Sequence, residues 1–168
     1  MQGKERTVSS RFERLTDAVA WLGAAIATVL VLVTLVTVGY SVFKRYVLGT
    51  PVTWTDELSG YLVVAMVMLG AAEALRRGDH ISVDLITSKI HGRTKHWLGL
   101  WSLAAVVLFS AAIIYSAVLM VRFSYDFGIY SEGYLEISMW IPQAFLLTGA
   151  GLLLVVSLTR IMTLLFKR

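Results

Sequence analysis

The 168 residues are 57% hydrophobic and 15% charged, against about 25% charged in an ordinary soluble domain. The absence of cysteine excludes a disulfide framework, a thiolate metal site and a cysteine nucleophile. The net charge of +4 comes from basic residues standing beside long apolar segments, so it does not point to nucleic acid.

The N-terminal arm carries Lys4, Arg6, Arg11 and Arg14. Ala18–Phe43 follows, 26 residues without Asp, Glu, Lys or Arg; a helix needs roughly 20 to cross a bilayer core of about 30 Å. A secretory signal has an apolar core of only about 7–15 residues and a small-residue cleavage pattern after it, so this span is expected to be retained. Lys44 and Arg45 close it, and Gly49-Thr50-Pro51 breaks the helix. Thr53 then fits a helix cap with Asp56 three residues on, and Asp56 and Glu57 fall in the first turn, where the helix dipole favours carboxylates.

The next charge-free run, Leu58–Ala72, has only 15 residues. It spans if Glu73 lies at its edge and the helix runs on to Leu75 or Arg76. Gly78 can end it. From Ile81 to His91 a short amphipathic segment places Ile81, Leu85 and Ile90 on one face with Asp84 and Lys89 off it. It is too short to span and is expected to lie along the membrane surface or a partner. Trp97–Val121 gives 25 uncharged residues and Ile137–Thr159 gives 23, with Pro142 near the start of the last span. The expected fold is all-α: one membrane domain over 1–168 with four transmembrane helices, at about 18–43, 56–76, 97–121 and 137–159.

Orientation follows from Lys and Arg. Twelve lie in the N-terminal arm, the middle connection (Arg76, Arg77, Lys89, Arg93, Lys95) and the C-terminal end (Arg160, Lys167, Arg168); the other connections hold Lys44, Arg45 and Arg122. The positive-inside bias therefore puts both termini in the cytoplasm. Trp21 and Trp97 then mark the inner interface, with Trp101 one turn deeper. Trp54 and Trp140 mark the outer one, with Tyr40, Tyr46, Tyr125, Tyr130 and Tyr134 at the same level. Such amphipathic rings anchor in the headgroup region.

Little in the chain suggests catalysis. His80, His91 and His96 all lie in the middle connection, so they cannot face one another inside the bilayer as haem ligands. Asp56, Glu57, Glu73, Arg76, Arg77 and Asp79 cluster at the two ends of the second span, each within reach of an interface. No span carries a charge near its middle, and none is broken by proline at mid-membrane, where transporters build ion and substrate sites. Neither an enzyme nor a cofactor is expected. Gly23 with Ala27, and Gly70 with Ala74, are small-residue pairs that permit close helix contact. At the outer rim Arg45 and Glu57 should lie at similar depth, and the planar fork of arginine suits a carboxylate. The two are expected to pair and present Trp54 at the interface.

The run Arg45-Tyr46-Val47-Leu48-Gly49-Thr50-Pro51, Trp54-Thr55-Asp56-Glu57, Leu69-Gly70-Ala71-Ala72 and Arg76-Arg77-Gly78-Asp79-His80-Ile81-Ser82-Val83-Asp84 resembles the small membrane subunit of tripartite ATP-independent periplasmic (TRAP) transporters. Trp140-Ile141-Pro142-Gln143 is similar to the opening of that family's fourth helix. The chain departs from the family at Ser138, where a proline is frequent, and at Leu147-Thr148-Gly149, which lacks another. The resemblance implies a multi-pass protein of the bacterial inner membrane that scaffolds a large transmembrane subunit. That subunit moves a carboxylate-type substrate with sodium ions after a periplasmic binding protein has captured it. Membrane lipids are the remaining partners. Arg45, Trp54, Asp56, Glu57, Arg76, Arg77, His80, Asp84 and Trp140 are then candidates for structural or partner contacts, with no substrate or metal site on this chain.

Two other classes stay open on the residues alone. An autonomous four-helix transporter would need a carboxylate facing a cavity, for which Glu73 is the candidate. A membrane anchor for an unrelated complex would need a redox or signalling partner.

Overall fold

The computed structural model describes residues 2–77 and 93–166, with side-chain surroundings described for 16–77 and 97–165. Four helices account for most of them: α1, Gln2–Tyr46; α2, Trp54–Arg77; α3, Arg93–Asp126; and α4, Trp140–Phe166. Each contains a segment long and apolar enough to cross a membrane: Thr16–Tyr46, Trp54–Arg77, Trp97–Asp126 and Trp140–Leu165. The anticipated segment 81–91 lies outside the described residues, as do Asp79, His80 and Asp84.

The element ends have local causes. Gly49 and Gly128 take positive φ, 66° and 59°. There the Thr50 amide bonds back to the Lys44 carbonyl, and the Ile129 amide to that of Ser124. Left-handed glycine closes a helix in this way without a Cβ clash. Helix α2 begins directly after Thr53, with Asp56 and Glu57 in its first turn as anticipated. Helix α4 starts at Trp140 rather than Ile137. Residues 137–139 instead form one arm of a small hairpin: Tyr130 and Ser138 make an antiparallel bridge, Ser131 N–H donates to Ile137 O, and Met139 N–H donates to Ile129 O. Pro142 then falls in the first turn of α4, where its missing N–H has no helical partner to lose.

Chain reversal at each connection gives two rims. One carries both chain ends and the end of α2; the other carries the 47–53 turn and the 127–139 hairpin. Helix α2 packs along α1 and α4, α1 touches α4 more lightly, and α3 packs on α4 alone among the described residues. Three helices therefore form a group, and the fourth is attached to it along one seam.

The interior is made of small side chains. Ala20, Ala65, Ala72, Ala117, Ala150, Ser110 and Ser157 are each no more than 1% exposed, whereas large apolar residues such as Val36, Leu35, Leu108 and Phe109 face outward. That inversion suits lipid, where exposing leucine costs little and helices associate by close van der Waals packing. The anticipated Gly23–Ala27 surface meets α2: a Cβ on Gly23 would sit 3.0 Å from Leu69 O, and one on Gly70 would lie 3.8 Å from Ala27 Cβ. Ala74, expected to share that role, is exposed, and the buried member of the turn is Ala72. The register explains this: Ala65, Leu69, Ala72 and Glu73 share the inward stripe at spacings of three and four.

Gly149 is the tightest of the helical contacts. A Cβ there would stand 2.5 Å from Met68 Cβ and 2.7 Å from the Met68 carbonyl carbon and oxygen. Backbone cannot move aside as a flexible side chain can. Gly149→Ala should therefore lose about 1–3 kcal/mol of stability by overpacking, read as a lower thermal midpoint of the detergent-solubilised chain. Gly99→Ala, with nothing within 4 Å of the added methyl, should be neutral or slightly stabilising through helix propensity.

Candidate functional site

Polar chemistry is concentrated at the two rims. Between them, the hydroxyls of Thr28, Thr34, Thr37, Ser110 and Thr148 each donate to the carbonyl four residues back, at 2.6–3.0 Å. Their protons are used within their own helices, the usual solution in a membrane span. Such hydroxyls do not build a polar track across the bilayer.

At the hairpin rim, Ser41 on α1 and Thr55 on α2 are buried and hydrogen-bonded at 2.9 Å, and Thr55 Oγ1 also lies 3.0 Å from Val52 O. This ties the end of α1 to the start of α2. Beside it the anticipated pairing of Arg45 changes partner. Its guanidinium lies 3.9 Å from Asp56 Oδ2, with both side chains at least half exposed. A pair so open and so long contributes roughly 0–1 kcal/mol. The correction has a simple cause: adjacent helical residues point about 100° apart, so Asp56 and Glu57 cannot both face α1.

Glu57 faces the 127–139 hairpin instead. Its Oε1 accepts hydrogen bonds from Tyr61 Oη at 2.9 Å and from Ser131 Oγ, and its Oε2 accepts from the Leu135 backbone N–H at 3.2 Å. Tyr61 Oη also lies 3.7 Å from Met139 Sδ. A Cβ on Gly133 would fall inside the Glu57 carboxylate, so the hairpin approaches this closely only because residue 133 has no side chain. Nearby, Trp140 meets Tyr125 edge to face, ring centroids 6.2 Å apart, at the α3–α4 seam. Trp54 stands at the start of α2, 37% exposed. The Gln143 amide oxygen, in the first turns of α4, is buried without a hydrogen-bond partner.

At the terminal rim, Glu73 is 5% exposed and held by two arginines. Arg76 Nε and Nη2 donate to its two oxygens at 2.6 and 2.7 Å, and Arg77 Nε donates at 2.8 Å. Arg76 Nη1 is also 3.5 Å from Asp17 Oδ1 on α1. A buried carboxylate needs such compensation, and here three charged donors engage both oxygens of Glu73. No three acidic or histidine side chains converge on a possible metal position among the described residues.

The structure thus brings Arg45 to Asp56, and Arg76 and Arg77 to Glu73. It sends Glu57 to the 127–139 hairpin. Gly128 and Gly133 bracketing Tyr130 and Ser131 were the available signal for a turn there. Nothing in the local sequence pointed to a carboxylate seventy-odd residues upstream. Asp17, the residue just before the first uncharged run, was the other missed participant.

The family model for the DctQ component of tripartite ATP-independent periplasmic transporters matches residues 34–167. The chain belongs to this family. It is similar to the C4-dicarboxylate TRAP transporter small permease protein DctQ of Rhodobacter capsulatus, 28% identical over 105 residues covering 62% of this chain and 46% of that protein. It is also similar to the sialic acid TRAP transporter small permease protein SiaQ of Vibrio cholerae serotype O1, 28% identical over 75 residues covering 45% of this chain and 43% of that protein. The chain thus spans less than half the length of these curated relatives. Four apolar helices and DctQ membership together make it a multi-pass protein of the bacterial inner membrane. The matched region of this DctQ component contains all of α2, with the Glu57 and Glu73 clusters.

If Glu57 restrains the hairpin, Glu57→Ala should speed amide hydrogen exchange severalfold within 127–139, while α1 and the first turn of α2 keep their protection. Ser131→Ala should produce a smaller effect in the same segment. The double variant should exchange little faster than Glu57→Ala alone, since the two act through one contact. Exchange read by mass spectrometry peptide by peptide checks all three.

Proposed function

We propose that this chain is the small membrane subunit that holds a large transporting subunit in the bilayer. That subunit would perform sodium-coupled uptake of a carboxylate-type substrate delivered by a periplasmic binding protein. The observation that carries the reading is Glu73: the buried carboxylate of the spans is occupied by Arg76 and Arg77. A carrier needs a polar site that can exchange its occupant at depth, and the mid-membrane hydroxyls are bound to their own helices. Both relatives are named for carboxylate-bearing substrates, a C4-dicarboxylate and a sialic acid, which supports the substrate class. The polar clusters at the rims and the small-residue seams suit a rigid part rather than a moving one.

The balance of basic residues supports placing the terminal rim, with both chain ends, in the cytoplasm. The hairpin rim would then face the periplasm, where a binding protein arrives. Among the described candidates, Arg45, Trp54 and Asp56 are exposed or half-exposed on that side, as is Trp140 at the α3–α4 seam.

Two measurements test this. Reconstituted alone into vesicles under a sodium gradient, the chain should take up no dicarboxylate or sialic acid; uptake by the lone chain would overturn the scaffold role. In intact cells, single cysteines introduced at Thr50 and Ser131 should react with an impermeant maleimide, and one at Ser88 should not. Labelling confined to Ser88 would invert the orientation.

A further inference from the structure

Helix α3 meets the other described helices only along α4. Its buried face carries Ser110, Ala117 and Ser124, seven residues apart. The opposite face also repeats by seven. Ala105, Leu108, Ala112, Tyr115, Leu119 and Arg122 follow one another at alternating spacings of three and four, and every one is exposed. That is the spacing by which one helix pairs with another along a left-handed seam. Leu108 and Tyr115 are the projecting side chains, and Ala105 and Ala112 leave hollows between them.

Two groups on this face lack a partner. The span of α3 is Trp97–Asp126, and at 1.5 Å per residue Tyr115 stands about 5 Å from its midpoint. Its side chain is 71% exposed, and its hydroxyl has no hydrogen-bond partner among the described residues. Helical side chains lean toward the helix N-terminus, which carries this phenol toward mid-span and away from the nearer rim. Arg122 lies two turns further on. It has no carboxylate within 4.0 Å among the described residues, Asp126 included. A phenol near mid-span and a guanidinium toward its edge are costly against hydrocarbon, and such groups ordinarily face protein.

The outward faces of the other helices differ. Over the middle of their spans they expose apolar side chains such as Leu35 and Val36 on α1, Val67 on α2 and Leu158 on α4. The exposed hydroxyls of Thr28, Thr37 and Thr148 already bond to their own helices. Lipid suits those faces.

Charge and depth decide between occupants of the α3 face. Acyl chains offer no acceptor to the Tyr115 hydroxyl. A second copy of this chain, meeting the face across a two-fold axis, would set Arg122 beside Arg122 at one depth. A different membrane helix, with a carboxylate near the hairpin rim and a hydrogen-bond acceptor one heptad deeper, satisfies both groups.

On the scaffold role proposed above, we infer that this face of α3 receives a transmembrane helix of the large transporting subunit, which sets a carboxylate against Arg122 and an acceptor against Tyr115.

Photocrosslinking in membranes that contain both subunits tests this, with the large subunit carrying an affinity tag. The reactive residue p-benzoylphenylalanine is placed singly at Leu108 or Leu119 of α3, Leu35 of α1, Val67 of α2 or Leu158 of α4. Adducts with the large subunit should be roughly fivefold stronger from Leu108 and Leu119 than from the other three positions. Arg122→Glu should cut recovery of the chain on the tagged subunit at least tenfold, while Arg122→Lys should keep most of it. Tyr115→Phe should cut it about threefold. These variants should leave the thermal midpoint of the isolated chain unchanged, since neither side chain bonds to the rest of it. Adducts from Leu108 and Leu119 no stronger than from the other helices would overturn the assignment of this face and leave the scaffold role standing. So would a crosslinked pair of this chain from Leu108, full recovery of Arg122→Glu, or a midpoint that falls along with recovery. Failure of the wild-type chain to co-purify with the tagged subunit would overturn the scaffold role, and this face with it.

Discussion

Helix association in this protein depends on how closely backbones can approach. Lipid surrounds the large apolar side chains on most faces, so their burial offers little reason for one helix to prefer another. What remains is contact between main chains, and it is made where residues have almost no side chain. Gly149 rests on the main chain of Met68, and Gly23 rests on the Leu69 carbonyl. Because Met68 and Leu69 are neighbours on α2, that helix is gripped from two sides at one level. The buried alanines and serines extend the same contact above and below. A methyl group matters more here than in a soluble core, since no compensating gain in hydrophobic burial accompanies it.

The two acidic clusters of α2 serve the same helix at opposite ends. Near its last turn, Glu73 gathers Arg76 and Arg77 and, through Arg76, reaches Asp17 of α1. At its first turn, Glu57 gathers Tyr61, Ser131 and the Leu135 amide. In both cases a carboxylate is surrounded by donors from within the chain. Charged groups in such a protein can thus be structural ties rather than parts of a transport path. The distinction rests on whether the donors around the carboxylate belong to the chain itself, as they do at both ends of α2.

How much of this was legible in the sequence follows from the range of each interaction. The spans could be read because an uncharged run is a property of consecutive residues. The start of α2 could be read because Asp56 and Glu57 fall in its own first turn. Gly23, Ala27 and Gly70 could be suspected as contact residues, but their partner faces could not. That Ala72 turns inward while Ala74 turns outward depends on the rotation of α2, which Gly149 and Gly23 set jointly. Arg45 was assigned the wrong acid because sequence distance gives depth and not azimuth, and Asp56 and Glu57 differ mainly in azimuth. The hairpin was missed altogether, since its hydrogen bonds are few and its fastening, Glu57, belongs to another helix. Arg76 and Arg77 were recognised as a pair at a rim, while the inward direction of Glu73 had to come from packing.

The attachment of α3 has a mechanical consequence. A helix that meets its neighbours along a single line keeps one soft rotation, a swing about that line, and among the described residues no helix stands on the far side of α3 to resist it. In a closed bundle an opposite helix would supply that resistance. The short connection from α3 into α4 passes through the hairpin that Glu57 holds to α2. One carboxylate therefore acts at the end of a lever the full length of the membrane, where a small force has its greatest torque. Stiffness against that swing is set less by the extent of the α3–α4 seam than by the few atoms at its tip.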